Sequence, residues 1–408
     1  MKNTLTITAL TLFIIALLAS DIFAIPAFAR KYNMSCKTCH TQFPALKDFG
    51  DEFAGNGFIL KDQDAPRYFV DTGDEELSLI RDIPLALRLE GYLTYNNRNT
   101  EQADFTAPYL LKLLSGGSIA PDVAYYFYFF FSERGEVSGI EDAFIMFNDL
   151  FGSELDVYVG QFQVSDPLFK RELRLTYDDY EIYKTKVGSS NINLAYDRGI
   201  MITYGFESGT DITAMVLNGT GIGQANVFRN FDNDKYKNFL GRISQGIGDH
   251  LRIGGFGYWG KEEHKVYISS SEGFLFPNNL ALMFGGDATI SIEPLELNLQ
   301  YVERNDDNPY FLHEYNIGNI NNAKIKTRGG FAELIYRPEG DDSKWYSALL
   351  YNYIESDTHE LDRTLRNYES LAVHLGYMLR RNIRLVAEYS HNFTNEYGRF
   401  GVGFISAF

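Results

Sequence analysis

Cysteine is almost absent. Cys36 and Cys39 are the only two in 408 residues. A structural zinc wants about four ligands, so two thiols alone do not make a zinc site. A reversible redox pair of the thioredoxin kind wants a βαβ context, and the pattern described below is not of that kind. Long apolar runs are also missing after the first thirty residues. No later segment approaches the roughly 20 consecutive apolar residues of a membrane helix. A basic excess is lacking too: 37 Lys and Arg stand against 54 Asp and Glu, for a net charge of -17. That balance argues against nucleic acid as a partner. Nor does the chain contain a nucleophile triad, a phosphate-cradling glycine loop or the spacing of a metal hydrolase.

The two cysteines occur together, as Cys36-Lys37-Thr38-Cys39-His40. C-x-x-C-H is the attachment sequence of a c-type haem. Two thiols add to the haem vinyl groups, and the next residue offers an imidazole to the iron. Cys36 and Cys39 are therefore the expected cofactor-binding residues, and His40 the expected proximal iron ligand. The motif follows Met1-Lys2-Asn3, an apolar run from Leu5 to Ala19 and small residues from Ser20 to Ala29. That order is a secretory signal. We expect a signal peptide over residues 1–24, with Ala29 as an alternative cleavage point. The haem segment then covers residues 25–82.

From Pro84 onward the chain alternates with period two. Leu85, Leu87, Leu89, Gly91, Leu93 and Tyr95 face one way, and Ala86, Arg88, Glu90, Tyr92, Thr94 and Asn96 the other. Leu371 to Arg380 and Ile383 to Ser390 repeat the pattern. A soluble sandwich alternates as well. Four features favour a membrane barrel over residues 83–408. Many strands are long enough for a tilted span of about 9–11 residues. Tyr (28) and Phe (32) are abundant while Trp is rare (2), and tyrosines such as Tyr95, Tyr301, Tyr336 and Tyr389 suit an interfacial girdle. Short connections (Ala120-Pro121-Asp122, Glu293-Pro294, Arg381-Asn382) alternate with long ones (Asn305 to Asn322, Ser356 to Asn367). The last alternating run, Phe400 to Phe408, offers a final strand to pair with the first, since an open edge in lipid leaves backbone groups unsatisfied.

The expected fold is thus all-β: a transmembrane outer-membrane β-barrel of about 16 antiparallel strands, an even number as such barrels have. A short N-terminal α-helical haem segment would enter the lumen from below, plugging it, or hang in the periplasm. Phe43, Leu46, Phe49 and Phe53 predict a helix with one apolar face toward the porphyrin, stopped by Gly55 to Gly57. A barrel of this size leaves an aqueous lumen. The long connection from Gln163 to Arg198 is expected to fold inward or to be functional. An apolar band about 25 Å tall would put a haem at mid-height about half that distance from each face.

The sixth iron ligand has several candidates. No histidine lies between His40 and His250. Met34 sits beside the motif, and His374 and Met378 point inward from one strand; Met146, Met201 and Met215 are further lumen methionines. Arg88, Lys112, Arg252 and Arg384 are expected inward, paired with lumen carboxylates or haem propionates. Asp232 with Asp234, Glu262 with Glu263 and Asp306 with Asp307 are expected in external loops, as solvated acids or as a cation-gathering surface.

The order of parts resembles the fused outer-membrane monohaem cytochrome c–porin family, best known from iron-oxidising bacteria. The resemblance rests on Ala24-Ile25-Pro26-Ala27-Phe28-Ala29-Arg30, then Cys36-x-x-Cys39-His40, Phe43-Pro44, Phe49-Gly50 and Gly57-Phe58. It continues with Glu141-Asp142-Ala143-Phe144 and Asp197-Arg198-Gly199. It implies a bacterial outer-membrane location and a haem inside the lumen. It also implies electron uptake from extracellular Fe(II), or another redox donor, and delivery to a periplasmic c-type cytochrome or other electron carrier. Three alternatives stand beside it: a solute porin whose cytochrome segment serves as a periplasmic carrier, a haem enzyme with an open iron position, and a soluble β-sandwich cytochrome.

Overall fold

The computed structural model describes residues 27–60, 69–70, 72–74, 76–81, 83–98, 102–269, 273–312, 324–357 and 367–408. The signal segment 1–24 lies outside the described residues, as do 313–323 and 358–366 of the two long connections named above.

Sixteen strands close into one antiparallel barrel. They are β1 (Leu85–Asn96), β2 (Gln102–Ala120), β3 (Val123–Glu133), β4 (Gly139–Phe147), β5 (Leu155–Gln163), β6 (Tyr196–Gly205), β7 (Thr210–Leu217), β8 (Asn238–Ile247) and β9 (Leu251–Glu263). A small hairpin, β10 (Val266–Ser269) and β11 (Gly273–Leu275), stands apart from the wall. The wall resumes with β12 (Asn278–Ile292), β13 (Leu295–Asp306), β14 (Ile325–Tyr336), β15 (Trp345–Ser356), β16 (Tyr368–Arg380), β17 (Ile383–Asn392) and β18 (Tyr397–Ala407). β18 pairs with β1 from Arg88↔Ala407 to Asn96↔Arg399. The Leu87 and Phe408 backbones exchange N–H···O bonds at 2.6 and 2.9 Å, finishing the seam.

The barrel is inside-out with respect to a soluble protein. On β16, Val373, Leu375, Tyr377 and Leu379 are exposed, whereas Ser370, His374 and Met378 are buried. Leu375 is 53% exposed and His374 1%. A sandwich in water would lose stability by showing that leucine row to solvent; a lipid-facing wall requires it. The soluble-cytochrome alternative falls on this pattern and on closure. The protein is an outer-membrane β-barrel. Aromatic residues form part of the outer belts: Tyr95, Phe400 and Tyr389 line up across β1, β18 and β17, and Trp345 pairs with Tyr377 near the opposite rim.

The start of β1, the end of β18 and the short turns (121–122, 293–294, 381–382) share one end, which makes that end periplasmic. The long connections share the other. Residues 164–195, between β5 and β6, fold into the barrel. Val164, Tyr183, Ile192 and Leu194 are fully buried there, packed against inward wall residues such as Met201, Met215, Leu240, Val302 and Leu350, and Leu175 packs on Ile335, Tyr346 and Ala348. The lumen is therefore not the aqueous channel that strand number alone suggests; this connection gives it an apolar core. Polar wall groups fix the fold-in. Tyr183 Oη donates to Gln300 at 2.7 Å, Tyr180 Oη to Glu333 at 2.8 Å, and Arg304 to the carbonyl of Ile192 at 2.6 Å. The Asp197-Arg198-Gly199 run serves the wall. Asp197 accepts the Gly219 N–H at 2.7 Å, Arg198 caps the carbonyls of Ile222 and Gly223, and a Cβ on Gly199 would stand 2.1 Å from the Val216 carbonyl oxygen.

Candidate functional site

Among its described residues, the N-terminal segment carries three short helices, α1 (Ala27–Tyr32), α2 (Cys36–Cys39) and α3 (Asp48–Gly55). Ser35 caps α2, its Oγ accepting from the Lys37 N–H at 3.3 Å. The His40 N–H closes the turn on the Cys36 carbonyl at 2.9 Å. One helical turn thus carries both cysteines on one face, three residues apart. Both thiols are half-buried and neither is in a disulfide. Burial pushes both above the usual thiol value.

A tight turn follows. Ala45 N–H donates to Gln42 O at 3.0 Å and Thr41 N–H to Ala45 O at 3.1 Å. It brings the Pro44 carbonyl within 3.1 Å of His40 Nδ1. A carbonyl only accepts, so Nδ1 carries the proton, and the Nε2 lone pair is left to bind a metal. Burial lowers the His40 pKa, which keeps the imidazole neutral as a ligand must be. Two unpaired thiols on one turn, and an imidazole oriented by the carbonyl it donates to, fit the chemistry of a covalently held c-type haem.

The predicted helix from Phe43 is shorter. The turn over 41–46 occupies its first half, because the Thr41 and Ala45 bonds and the Lys47 N–H bond to Cys39 O (2.9 Å) use that backbone differently. The four apolar residues consequently do not share one face. Phe53 is buried among Phe28, Tyr32 and Phe58 at 5.6–6.0 Å, while Phe49 is 40% exposed. Phe43 meets His40 edge-on at 5.4 Å and lies under the Arg88 guanidinium at 5.7 Å. Gly50 is where α3 rests on α2: a Cβ there would be 2.1 Å from the Cys39 carbonyl oxygen. Gly50→Ala is expected to lift α3 from α2 and expose Lys47 to trypsin in the folded barrel. Gly55→Ala, which meets nothing within 4 Å, should leave the cleavage pattern unchanged. Limited proteolysis with mass spectrometry reads both.

The segment is docked in the periplasmic mouth. Lys37, between the cysteines, pairs with Asp342, and Lys47 with Asp341 at 2.7 Å. Gln42 Nε2 donates to Ser343 O at 3.3 Å. Asn148 Nδ2 donates to Asn56 O at 2.9 Å and Tyr158 Oη to Gly55 O at 3.3 Å. Ala45 packs on Leu175, Ile335, Tyr346 and Ala348. The C-x-x-C turn thus meets the turn between β14 and β15 at the rim. Above it, Phe43 joins Tyr92, Tyr109 and Tyr177, whose rings lie 4.6–5.3 Å apart.

The candidate sixth ligands separate clearly. Both ring nitrogens of His374 are engaged, Nδ1 with Glu388 at 2.9 Å and Nε2 with Tyr346 Oη at 3.2 Å. Met378 is buried on β16 opposite Arg384, at the end nearest the segment. Met34 is half-buried, its N–H on Ala29 O at 2.9 Å. Met146 is buried, its sulfur 3.3 Å from where a Gly57 Cβ would stand, so it touches the segment directly. Met201 and Met215 belong to the lumen core around the folded-in connection.

Most of the expected inward cations do pair with acids: Arg88 with Glu90 at 2.5 Å, Lys112 with Glu172 at 2.7 Å, Arg252 with Asp211 at 2.7 Å. Arg384 does not; it bonds Tyr346 Oη at 2.5 Å and Leu175 O at 3.3 Å. The acidic pairs need correction. Glu262 and Asp306 are buried, not solvated. Glu262 accepts the Asn191 N–H at 3.0 Å and Asp306 pairs with Arg304 at 2.6 Å, holding the folded-in connection. Glu263 pairs with Lys235 at 3.1 Å, Asp307 with Lys324 at 3.6 Å and Asp232 with Lys237, while Asp234 caps the Tyr236 N–H at 2.6 Å. The buried pairs Arg242–Asp287 and Arg304–Asp306 escaped the sequence analysis. Their only signal was an inward phase on the alternation.

No family model and no curated protein matches the chain. Solved structures do match, and they are outer-membrane barrels. The anion-selective porin from Comamonas acidovorans aligns with TM-score 0.55 at 11% identity, over 80% of this chain and 99% of that one. OmpT of Vibrio cholerae in its trimer form aligns with TM-score 0.52 at 12% identity, again over 80% and 99%. Salmonella typhi OmpF in complex with daunomycin gives 0.51 at 11%, over 80% and 98%. At these identities the likeness is one of fold.

Proposed function

We propose that the chain is an outer-membrane electron conduit of the cytochrome c–porin kind. Cys36 and Cys39 hold a haem through thioether bonds, and His40 ligates its iron from Nε2. The observation that carries this is the hydrogen bond from His40 Nδ1 to Pro44 O beside two unpaired thiols, in a turn seated in the barrel mouth. A haem bound there supplies one-electron exchange between Fe(III) and Fe(II), with a potential set by axial ligand and burial. The donor is an extracellular reductant, with ferrous iron as the first to test, and the acceptor is a periplasmic carrier such as a small c-type cytochrome. Residues 164–195 fold into the lumen and give it an apolar core, which supports electrons rather than solutes as the traffic.

A second function, a solute porin with a periplasmic carrier segment, is favoured by the porin fold and by charged lumen residues such as Arg88, Glu90, Arg171 and Glu172 around one cavity. Two measurements on purified protein separate them. Oxidised protein mixed with Fe(II) in a stopped flow is expected to show the absorbance of reduced haem, and liposomes carrying the protein to pass small ions little above background. Open-pore flux would favour the porin. Reduction by another donor but not by Fe(II) would remove iron as the substrate and leave the conduit. A high-spin spectrum with an open iron position would point to an enzyme.

A further inference from the structure

The haem-binding turn sits at the periplasmic rim, and the outer end of the barrel lies beyond an apolar band about 25 Å tall. A string of aromatic rings runs through that interval. The seam between β1 and β18 gives the scale, with Arg88 opposite Ala407 at its periplasmic end and Asn96 opposite Arg399 at its outer end. Phe43 lies under Arg88 at 5.7 Å, and Tyr177 lies under Arg399 at 4.2 Å. Tyr92 stands between them on β1. It is buried, it packs in one cluster with Phe43, and its ring is 4.6 Å from that of Tyr177. Tyr109 joins the group at 5.3 Å from Tyr92 and 4.9 Å from Tyr177.

Both ends of the string are defined. At the lower end Phe43 meets the His40 ring edge-on at 5.4 Å. At the upper end Tyr109 is half-buried, and its carbonyl accepts the N–H of Arg134 at 2.7 Å; Arg134 is an exposed residue of the external turn between β3 and β4. Centroid distances of this size are those of rings in direct contact. A second string, Phe58, Tyr126 and Tyr128, climbs β3 with steps of 5.3 and 6.1 Å. It starts from Phe28 and Phe53, whereas Phe43 is the ring that meets His40.

We propose that Phe43, Tyr92, Tyr177 and Tyr109 are the bridge along which an electron passes between the outer end of the barrel and the haem-binding turn. The inference rests on the haem assignment above. Electronic coupling falls steeply across gaps and saturated groups, and rings in contact shorten those gaps. One electron leaves a ferrous donor at the outer end, which becomes ferric, and reduces Fe(III) to Fe(II) at the iron bound by His40. The rings end as they began: no bond forms or breaks in them and no proton moves. The coupling runs through the π system, so the hydroxyls only position the rings, as where Tyr92 Oη donates to Glu90 at 2.8 Å.

The test uses full-length protein in sealed vesicles with the long connections outward, an orientation read by protease access. A pyridine haemochrome assay first establishes covalent haem; its absence overturns the haem assignment itself, and this inference with it. With haem present, the probe is Fe(II)–EDTA added outside. Tyr177→Leu should slow haem reduction by an order of magnitude, Tyr177→Phe should stay close to wild type, and Tyr126→Leu, on the second string, should change nothing. Wild-type speed in Tyr177→Leu overturns the proposal; so does equal slowing in the Phe and Leu variants, or in Tyr126→Leu. Tyr109→Leu repeats the comparison if Tyr177→Leu gives no heat-modifiable barrel. A readout without haem uses the chain carrying Cys36→Ala and Cys39→Ala, whose wall pairing does not involve the thiols. Tris(bipyridyl)ruthenium, photo-oxidised outside with persulfate, takes electrons from phenols; two touching tyrosines that each lose one electron and one proton join as dityrosine. Mass spectrometry should find links among Tyr92, Tyr109 and Tyr177. Their absence from every such link overturns the ring connection itself.

Discussion

Alanine at both Cys36 and Cys39 will give a barrel with no covalent haem. The haem stain of a denaturing gel will fall to background, and reduction by Fe(II) or any other donor will vanish with it. Wall assembly should survive. Its closure rests on strand pairing from β1 to β18, and the thiols contribute nothing to that ladder. Heat-modifiable gel mobility, the property of a folded barrel, is the control. The docking contacts of Lys37, Gln42 and Lys47 also lie outside the thiols, so the segment keeps its place. His40→Ala separates attachment from ligation: the thioether stain persists while the haem absorbance spectrum shifts from that of the wild type. A stained band in the double alanine variant would show attachment elsewhere and end the assignment.

Legibility in the sequence differed sharply between wall and interior. The wall was readable because lipid enforces one rule at each position: apolar outward and, through closure, every backbone group paired. Strand count, the seam between first and last strands, and the short periplasmic turns all follow from that rule. The interior obeys no such rule. Its packing depends on which inward residue meets which point of residues 164–195, a matter of three-dimensional register. Glu262 and Asp306 read as external acids because neighbouring acids in sequence resemble a loop, yet their phase on β9 and β13 turns them inward. The helix start at Phe43 was misplaced for a local reason. Spacing suggested a helix, but the turn that delivers Pro44 O to His40 competes for the same residues. Arg384 was readable as inward; that it bonds the Tyr346 hydroxyl and the Leu175 carbonyl was not.

Glu388→Ala is expected to open the lumen. One carboxylate accepts the Tyr177 N–H at 2.6 Å, the Asp178 N–H at 2.9 Å and His374 Nδ1 at 2.9 Å, with Arg399 at 3.7 Å. Truncation leaves two backbone donors and the His374 imidazole without their acceptor, while Arg399 keeps Asp178. Breaking a buried charged contact of this kind costs about 3–5 kcal/mol, and each stranded backbone donor is a penalty of about 1–3 kcal/mol. These losses overlap, and they fall on the hydrogen bonds that tie Tyr177 and Asp178 to β17. That stretch should leave the wall, and water should follow into the cavity lined by Tyr92, Tyr177 and Glu388. Planar-bilayer conductance is expected to rise severalfold over the wild type, and the unfolding midpoint in denaturant to fall. Glu388→Gln should sit between, since an amide oxygen accepts one N–H well but offers no charge to Arg399. Glu303→Ala is the contrast. Its exposed pairing with Lys326 belongs to the class of surface bridges contributing about 0–1 kcal/mol, and conductance should not move. If Glu388→Ala conducts no better than wild type, the folded-in connection is held by its apolar core alone, and the polar clamp described here is only a register device.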